Sequence, residues 1–150
     1  VVITTPYFIP DQPLLQAMAT AVMTGVEVHL ILSEQRDQFF VGFAQQSFYE
    51  EVLEAGVHIH LYQTAFLHAK HMTIDNAISV IGSNNVDIRS FALNSEICLV
   101  VYDDDVVKKH REIEARYLAN SRELTLEEWN KRPLVQQAFQ GVCRLVDSFL

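Results

Sequence analysis

Phe66-Leu67-His68-Ala69-Lys70-His71-Met72-Thr73-Ile74-Asp75-Asn76-Ala77-Ile78-Ser79-Val80-Ile81-Gly82-Ser83-Asn84-Asn85 is the stretch on which the fold turns. Leu67 to Ile74 alternates and is rich in β-formers, Ala77 to Ile81 is a short apolar run, and Asp75-Asn76 between them is a turn pair. The segment therefore reads as a β-hairpin. Side chains two apart on a strand share a face, so His68 and Lys70 point the same way. With a two-residue loop Ile74 pairs with Ala77, and Ser83 falls across from His68. A loop one residue longer sets Asn84 there instead. Either register brings 83–85 beside the imidazole.

Each residue type then has a task. Histidine titrates near neutrality and serves as nucleophile or as general acid and base. Lys70 supplies positive charge for non-bridging phosphate oxygens, where negative charge accumulates during transfer. Gly82 permits close backbone approach, and Ser83 and Asn85 add neutral hydrogen-bonding groups. Such a set binds a phosphodiester and moves its proton without a metal. Asp75 has the opposite strand parity to His68 and Lys70, so it is expected to cap or brace the turn. A zinc site from His58, His60, His68 and His71 is the competing reading. Only His58 and His60 share a strand face, and no Cys or carboxylate completes a familiar ligand set.

Outward from the hairpin, strands and helices alternate. Strands are predicted over 1–5, 26–32, 57–63 and 96–102. Helices are predicted over 13–24, with Asp11 as cap and Gly25 as terminator, and over 39–55, closed by Gly56. After Tyr102 the character is helical. Asp103-Asp104-Asp105 opens a helix running to Ala119, because carboxylates there oppose the positive end of the dipole. Thr125-Leu126-Glu127-Glu128 fits a capping box, and Pro133 opens a last helix through Leu150. The expectation is an α/β fold, with a mixed central sheet, helices on both faces and a helical carboxy-terminal segment, forming one domain over 1–150. In the last helix Val135, Ala138, Phe139, Val142, Val146 and Phe149 form an apolar stripe. Gln136, Gln137, Gln140, Arg144 and Asp147 make its polar face. Lacking flanking cations, the stripe is expected to pack on protein rather than on a membrane surface.

The pattern His-x-Lys-x4-Asp-x6-Gly-Ser-x-Asn, at His68, Lys70, Asp75, Gly82, Ser83 and Asn85, resembles the HKD motif of the phospholipase D superfamily. Thr5-Pro6-Tyr7-Phe8-Ile9-Pro10-Asp11, Asp87-Ile88-Arg89-Ser90-Phe91, Asn94-Ser95-Glu96 and the tail 121–129 are similar to the carboxy-terminal half of bacterial cardiolipin synthases. The resemblance implies a two-step transfer through a phosphohistidine, turning two phosphatidylglycerol molecules into cardiolipin and glycerol. It implies catalytic roles for His68, Lys70, Asp75 and Glu96, with His68 as the acid and base, or as the nucleophile if the half self-pairs, and Glu96 orienting the imidazole. It places substrate phosphate on Lys70, Ser83 and Asn85, and it implies no metal and no cofactor. Family members carry two such motifs, and only one His-x-Lys occurs here. The partner is therefore a first HKD half absent from this chain, or a second copy forming a homodimer. Membrane helices upstream of Val1 would tie the whole enzyme to the bacterial inner membrane, leaving this piece soluble. Two rival readings stay open: a phosphodiesterase or nuclease with the same chemistry, and a non-catalytic half.

Composition agrees. The apolar fraction is 49% and the charged fraction 20%, which suits a well-packed core. A net charge of −8 weighs against nucleic acid, which demands a basic face. No apolar run is long enough to span a bilayer, and no signal peptide is seen. The start at Val1-Val2-Ile3, without Met and within a strand, reads as an excised domain. Cys98 and Cys143 are expected as buried free thiols. Tyr7, Phe8 and Ile9 either line an acyl groove or pack on a helix. Arg89 meets either a lipid phosphate or, preferably, an internal carboxylate.

Overall fold

Asp11 accepts a hydrogen bond from the Leu14 amide at 3.0 Å, and Pro13 sits in the first turn, where its missing N–H leaves nothing unpaired. The first helix thus begins where its sequence directs. The computed structural model describes residues 1–144, less the side chains at 134, 136, 138, 143 and 144. In chain order the elements are β1 (Val2–Thr4), β2 (Phe8–Ile9), α1 (Gln12–Met23), β3 (His29–Ser33), α2 (Phe39–Gln46), α3 (Tyr49–Glu54), β4 (His58–Tyr62) and β5 (His71–Ile74). There follow β6 (Ile78–Gly82), β7 (Val86–Asp87), α4 (Ile88–Ala92), β8 (Cys98–Val101), α5 (Asp104–Ala119), β9 (Ser121–Leu124), α6 (Leu126–Asn130) and α7 (Leu134–Arg144).

A seven-stranded mixed sheet runs β8-β6-β5-β1-β3-β4-β9. Its centre, β1, β3 and β4, is parallel; β5, β6 and β8 extend it antiparallel on one flank and β9 closes the other. Strand alternation gives the sheet two faces. Ile3, Leu30, Leu32, Ile59 and Leu61 enter the larger core with Leu15 and Met18 of α1 and Tyr49 and Val52 of α3. Leu30, Leu32 and Ile59 are each 0% exposed, and full burial of such a side chain is worth about 1.5–3 kcal/mol. The opposite face carries Val2, Ile31 and Leu67 against Tyr117 and Leu118 of α5. Helices therefore cover both faces, as expected.

The face under α5 is also polar. The Thr73 hydroxyl lies 2.8 and 2.7 Å from the two Glu114 oxygens, and Arg111 Nη1 donates to Glu114 at 3.2 Å. His71 Nε2 stands 3.5 Å from Glu114 with no hydrogen-bond partner among the described residues, and His110 meets the Ser79 hydroxyl. Burial holds the Glu114 carboxyl above its ordinary range. It pushes the His71 imidazole down to about 4, with His110 adding to the effect. Burial thus works against the charged form of each group.

Several expectations are corrected. The strand foreseen over 67–74 forms only from His71, because Pro6 offers no amide where β1 would continue the ladder. The hairpin pairs His71 with Ile81 and Ile74 with Ile78, so its loop is the longer one, with Asp75 left-handed at φ 50°. The helix over 39–55 is two helices, since the Ser47 hydroxyl donates back to the Ala44 carbonyl at 2.6 Å and closes the first. Residues 121–124 form a strand, and the short elements β2, β7 and α4 went unforeseen. Cys98 is exposed, on edge strand β8; the Cys143 side chain lies outside the described residues.

Along α7, Phe139 meets the Phe43 ring edge-on at 4.9 Å. Val135 and Val142 of the same stripe are exposed, whereas Gln140, assigned to the polar face, is buried. Gln140 donates to Gln46 at 3.0 Å and accepts from Arg132 at 3.1 Å, so an amide seam replaces an apolar one. Val146 and Phe149 lie outside the described residues.

Candidate active site

Leu67 is buried beneath α5, and Ala69 packs in the same small cluster. Alternation sends His68 and Lys70 the other way, out of that core. The extended segment is tied at one end by the Leu67 amide donating to Ser33 Oγ at 3.2 Å. At the other, the Lys70 carbonyl accepts from the Gly82 amide at 3.2 Å.

The Lys70 ammonium stands 3.2 Å from Nε2 and 3.4 Å from Nδ1 of His68. Burial holds that ammonium below its ordinary value, opposed by the negative charges of Glu96 and Asp87. Two aromatic rings flank His68. Phe66 lies 5.8 Å away, and Tyr7 stands edge-on at 6.3 Å. The Tyr7 hydroxyl donates to Asp37 at 2.5 Å and accepts from Gln38 at 3.3 Å, which fixes the ring.

Glu96 is the hub behind this pair. It accepts from the hydroxyls of Ser83 and Ser90, the latter at 3.1 Å, and from Asn94 at 3.5 Å. These bonds go to the 83–94 wall, not to the His68 imidazole. The Ser83 bond, foremost, holds the Glu96 carboxyl below the usual range; the other donors and Lys70 reinforce it against partial burial. Ser83 also accepts from the Ile97 amide at 3.1 Å. Asn85 sits on the same wall, its backbone N–H donating to Ser90 Oγ at 3.1 Å and its buried Oδ1 without a hydrogen-bond partner among the described residues.

Asp75 lies elsewhere. It occupies the turn at the far end of β5, with its carbonyl accepting from Arg111 at 2.7 Å. Five residues of extended chain, on the order of 16 Å, separate it from Lys70. The structure thus brings His68 against Lys70, binds Ser83 to Glu96 beside them and ties Asn85 to Glu96 through Ser90, and it puts Asp75 outside the cluster, as a turn residue. The four histidines of the zinc reading do not converge: His58 and His60 are neighbours, with ring centroids 6.5 Å apart, but His71 stands by His110 and His68 by Lys70. His60 pairs with His29 at 3.0 Å and His58 with Glu123 at 2.8 Å. Among the described residues no group of three or more His, Cys, Asp or Glu is placed to hold a metal ion.

Ser90 was missed by sequence reasoning. It is 7% exposed, donates to Glu96, accepts from the Asn85 amide and gives its own amide to Asp87 at 2.6 Å. The Asp87-x-x-Ser90 spacing is that of a helix cap and could have revealed it. The two-stranded pairing of Phe8 with Val86 and Ile9 with Asp87 then binds the amino-terminal segment to this wall. Phe8 and Ile9 are core residues, 0% and 2% exposed, and Ile9 also backs a small, mostly polar cavity with Tyr7, Gln38 and Asn85.

Residues 1–117 match the family model described as cardiolipin synthase, PLD-like domain. This chain belongs to that family. It is 39% identical over 149 residues to cardiolipin synthase A of Proteus mirabilis, which covers 99% of this chain and 31% of that protein. It is 40% identical to cardiolipin synthase 1 of Staphylococcus epidermidis, over 97% of this chain and 30% of the relative. The chain thus spans about a third of these relatives' length. The fold is shared with phosphatidylserine synthase of Haemophilus influenzae, at TM-score 0.78 and 21% identity, over 99% of this chain and 41% of that one. It is shared too with the phospholipase D family member Nuc of Salmonella typhimurium, at TM-score 0.70 and 18% identity, over 82% and 80%. Among the described residues no helix is long and apolar enough to cross a membrane.

Proposed function

We propose that this chain is the carboxy-terminal catalytic half, as one domain, of a phosphatidyltransferase of the cardiolipin synthase type. It works with a first HKD half, or with a second copy of itself, and membrane attachment comes through segments upstream of Val1. The observation that carries the reading is the Lys70 ammonium standing against His68, with Glu96 and Ser83 behind it. One amine and one imidazole at hydrogen-bond distance form a site for a phosphate oxygen and a proton.

The chemistry runs in two steps. A histidine of the partner half attacks phosphorus, the bond to the leaving glycerol oxygen breaks, and His68 gives that oxygen its proton. The hydroxyl of a second phosphatidylglycerol then loses its proton to His68 and attacks phosphorus, releasing the histidine. Lys70 and Asn85 hold the non-bridging oxygens. Ser83, whose hydroxyl is bound to Glu96, assists by fixing the wall. Glu96 sets the charge around Lys70, and through it the pose of the imidazole.

The test is His68→Ala in the enzyme that carries this region, supplied with phosphatidylglycerol vesicles. Lipid product should disappear while the thermal midpoint stays put, because His68 is exposed. Undiminished turnover sinks the proposal. Plasmid DNA offered in parallel should remain intact, given the net charge of −8. Cleavage of the plasmid instead of lipid turnover would make the enzyme a nuclease.

A further inference from the structure

Beside Lys70 the sheet leaves a cavity of about 180 Å³. Lys70, Gly82 and Asn84 line one part of it, next to the candidate phosphate site, and Leu14, Met72, Val80, Val86 and Phe91 give it a largely apolar wall. The volume is enough for about six groups of water or methylene size. Its origin lies in the sheet. The row Ile3, Met72, Val80, Val100 crosses β1, β5, β6 and β8 on one face. Ile3 is 7% exposed and Val100 46%, so cover thins towards the edge.

We propose that this cavity is an acyl-chain slot, taking the first methylenes of one fatty chain while the lipid phosphate rests on Lys70. The inference deepens the reading above and rests on it. The argument is chemical complementarity at a fixed junction. A phosphodiester lipid joins an anion to a hydrocarbon within a few bonds, and Lys70, whose ammonium stands at His68, lines this cavity together with six apolar residues, Ile3, Leu14, Met72, Val80, Val86 and Phe91. An apolar slot gains by accepting hydrocarbon, since each methylene removed from water strengthens binding about fourfold. A polyol or a nucleotide gains nothing there.

Methionine methyl signals test this directly, because the chain's three methionines report from different places. Met72 lines the slot, Met18 is 5% exposed in the main core and Met23 is 87% exposed. The methyl-labelled chain is titrated with dihexanoyl phosphatidylglycerol, below its micelle concentration, and with deacylated glycerophosphoglycerol. Both ligands should shift the His68 ring signals. Only the acylated one should shift Met72, with Met18 and Met23 unmoved, and it should bind at least tenfold more tightly. Val80→Phe, which fills the slot, and Phe91→Ser, at its exposed rim, should each reduce that preference below threefold while His68 still responds. A still Met72, or a preference that survives both substitutions, overturns the slot alone. His68 silent to both ligands overturns the phosphate-site reading and the slot with it.

Discussion

The Lys70 ammonium lies 3.2 Å from Nε2 of His68, a separation that leaves both groups able to meet one phosphate oxygen. Lys70 supplies a positive charge to this spot, and two charges about 4 Å apart near a protein surface interact by roughly 4 kcal/mol before solvation losses. Lys70→Met should therefore weaken tungstate binding at least tenfold by calorimetry, with the fold intact by circular dichroism. Unchanged affinity would place the anion elsewhere.

Glu96 is held below its ordinary range chiefly by the Ser83 hydroxyl. A depressed folded-state value means the carboxylate stabilises the native state above about pH 4.5, its reference value, and loses that contribution as pH falls through the folded value. Glu96→Gln should lower the thermal midpoint at pH 7 and narrow the loss on acidification. It should also lower the Lys70 pKa further, which ammonium NMR can read. A midpoint that stays put at pH 7 contradicts the hub role.

His71 falls to about 4 from a reference of 6.5, so the unfolded chain binds the extra proton between those values. Stability should drop as pH falls from 6.5 towards 4, by about 3 kcal/mol over the interval for this one group. His71→Gln should flatten that slope in urea titrations. Glu114 is raised, so its penalty appears as pH climbs from 4.5 through its folded value. Glu114→Gln should thus raise the midpoint at pH 8 and leave it unchanged at pH 4.

Gly82 is where close approach is required. A Cβ there would meet Asn84 Oδ1, Cys98 Sγ at 2.8 Å and the Ile97 carbonyl at 3.0 Å. Gly82→Ala should cost about 1–3 kcal/mol and displace the Ser83–Ile97 contact. Cys98→Ala in the same chain should recover part of the loss. A neutral Gly82→Ala would mean the wall gives way freely.

Local chemistry was legible where a residue acts on its neighbours. Asp11, Asp103 and Thr125 each cap the helix that follows, and Gly25 and Gly56 take left-handed conformations where helices end. The same locality exposed the His68–Lys70 pair, since parity along eight residues fixes it. Asp75 sits in the turn, as its strand parity expects, whereas the catalytic role the motif implies would need it at the opposite end of the strand.

Through short-range rules, then, the sequence by itself determined the α/β character, most helix ends and the side on which the imidazole and ammonium emerge. Tertiary structure alone decided the burial of Gln140 in an amide seam and the apolar slot beside Lys70. Each of these depends on partners far apart in the chain, such as Gln46 with Gln140 or Leu14 with Val80. Their meeting is set by which surfaces pack together, and no local pattern encodes it.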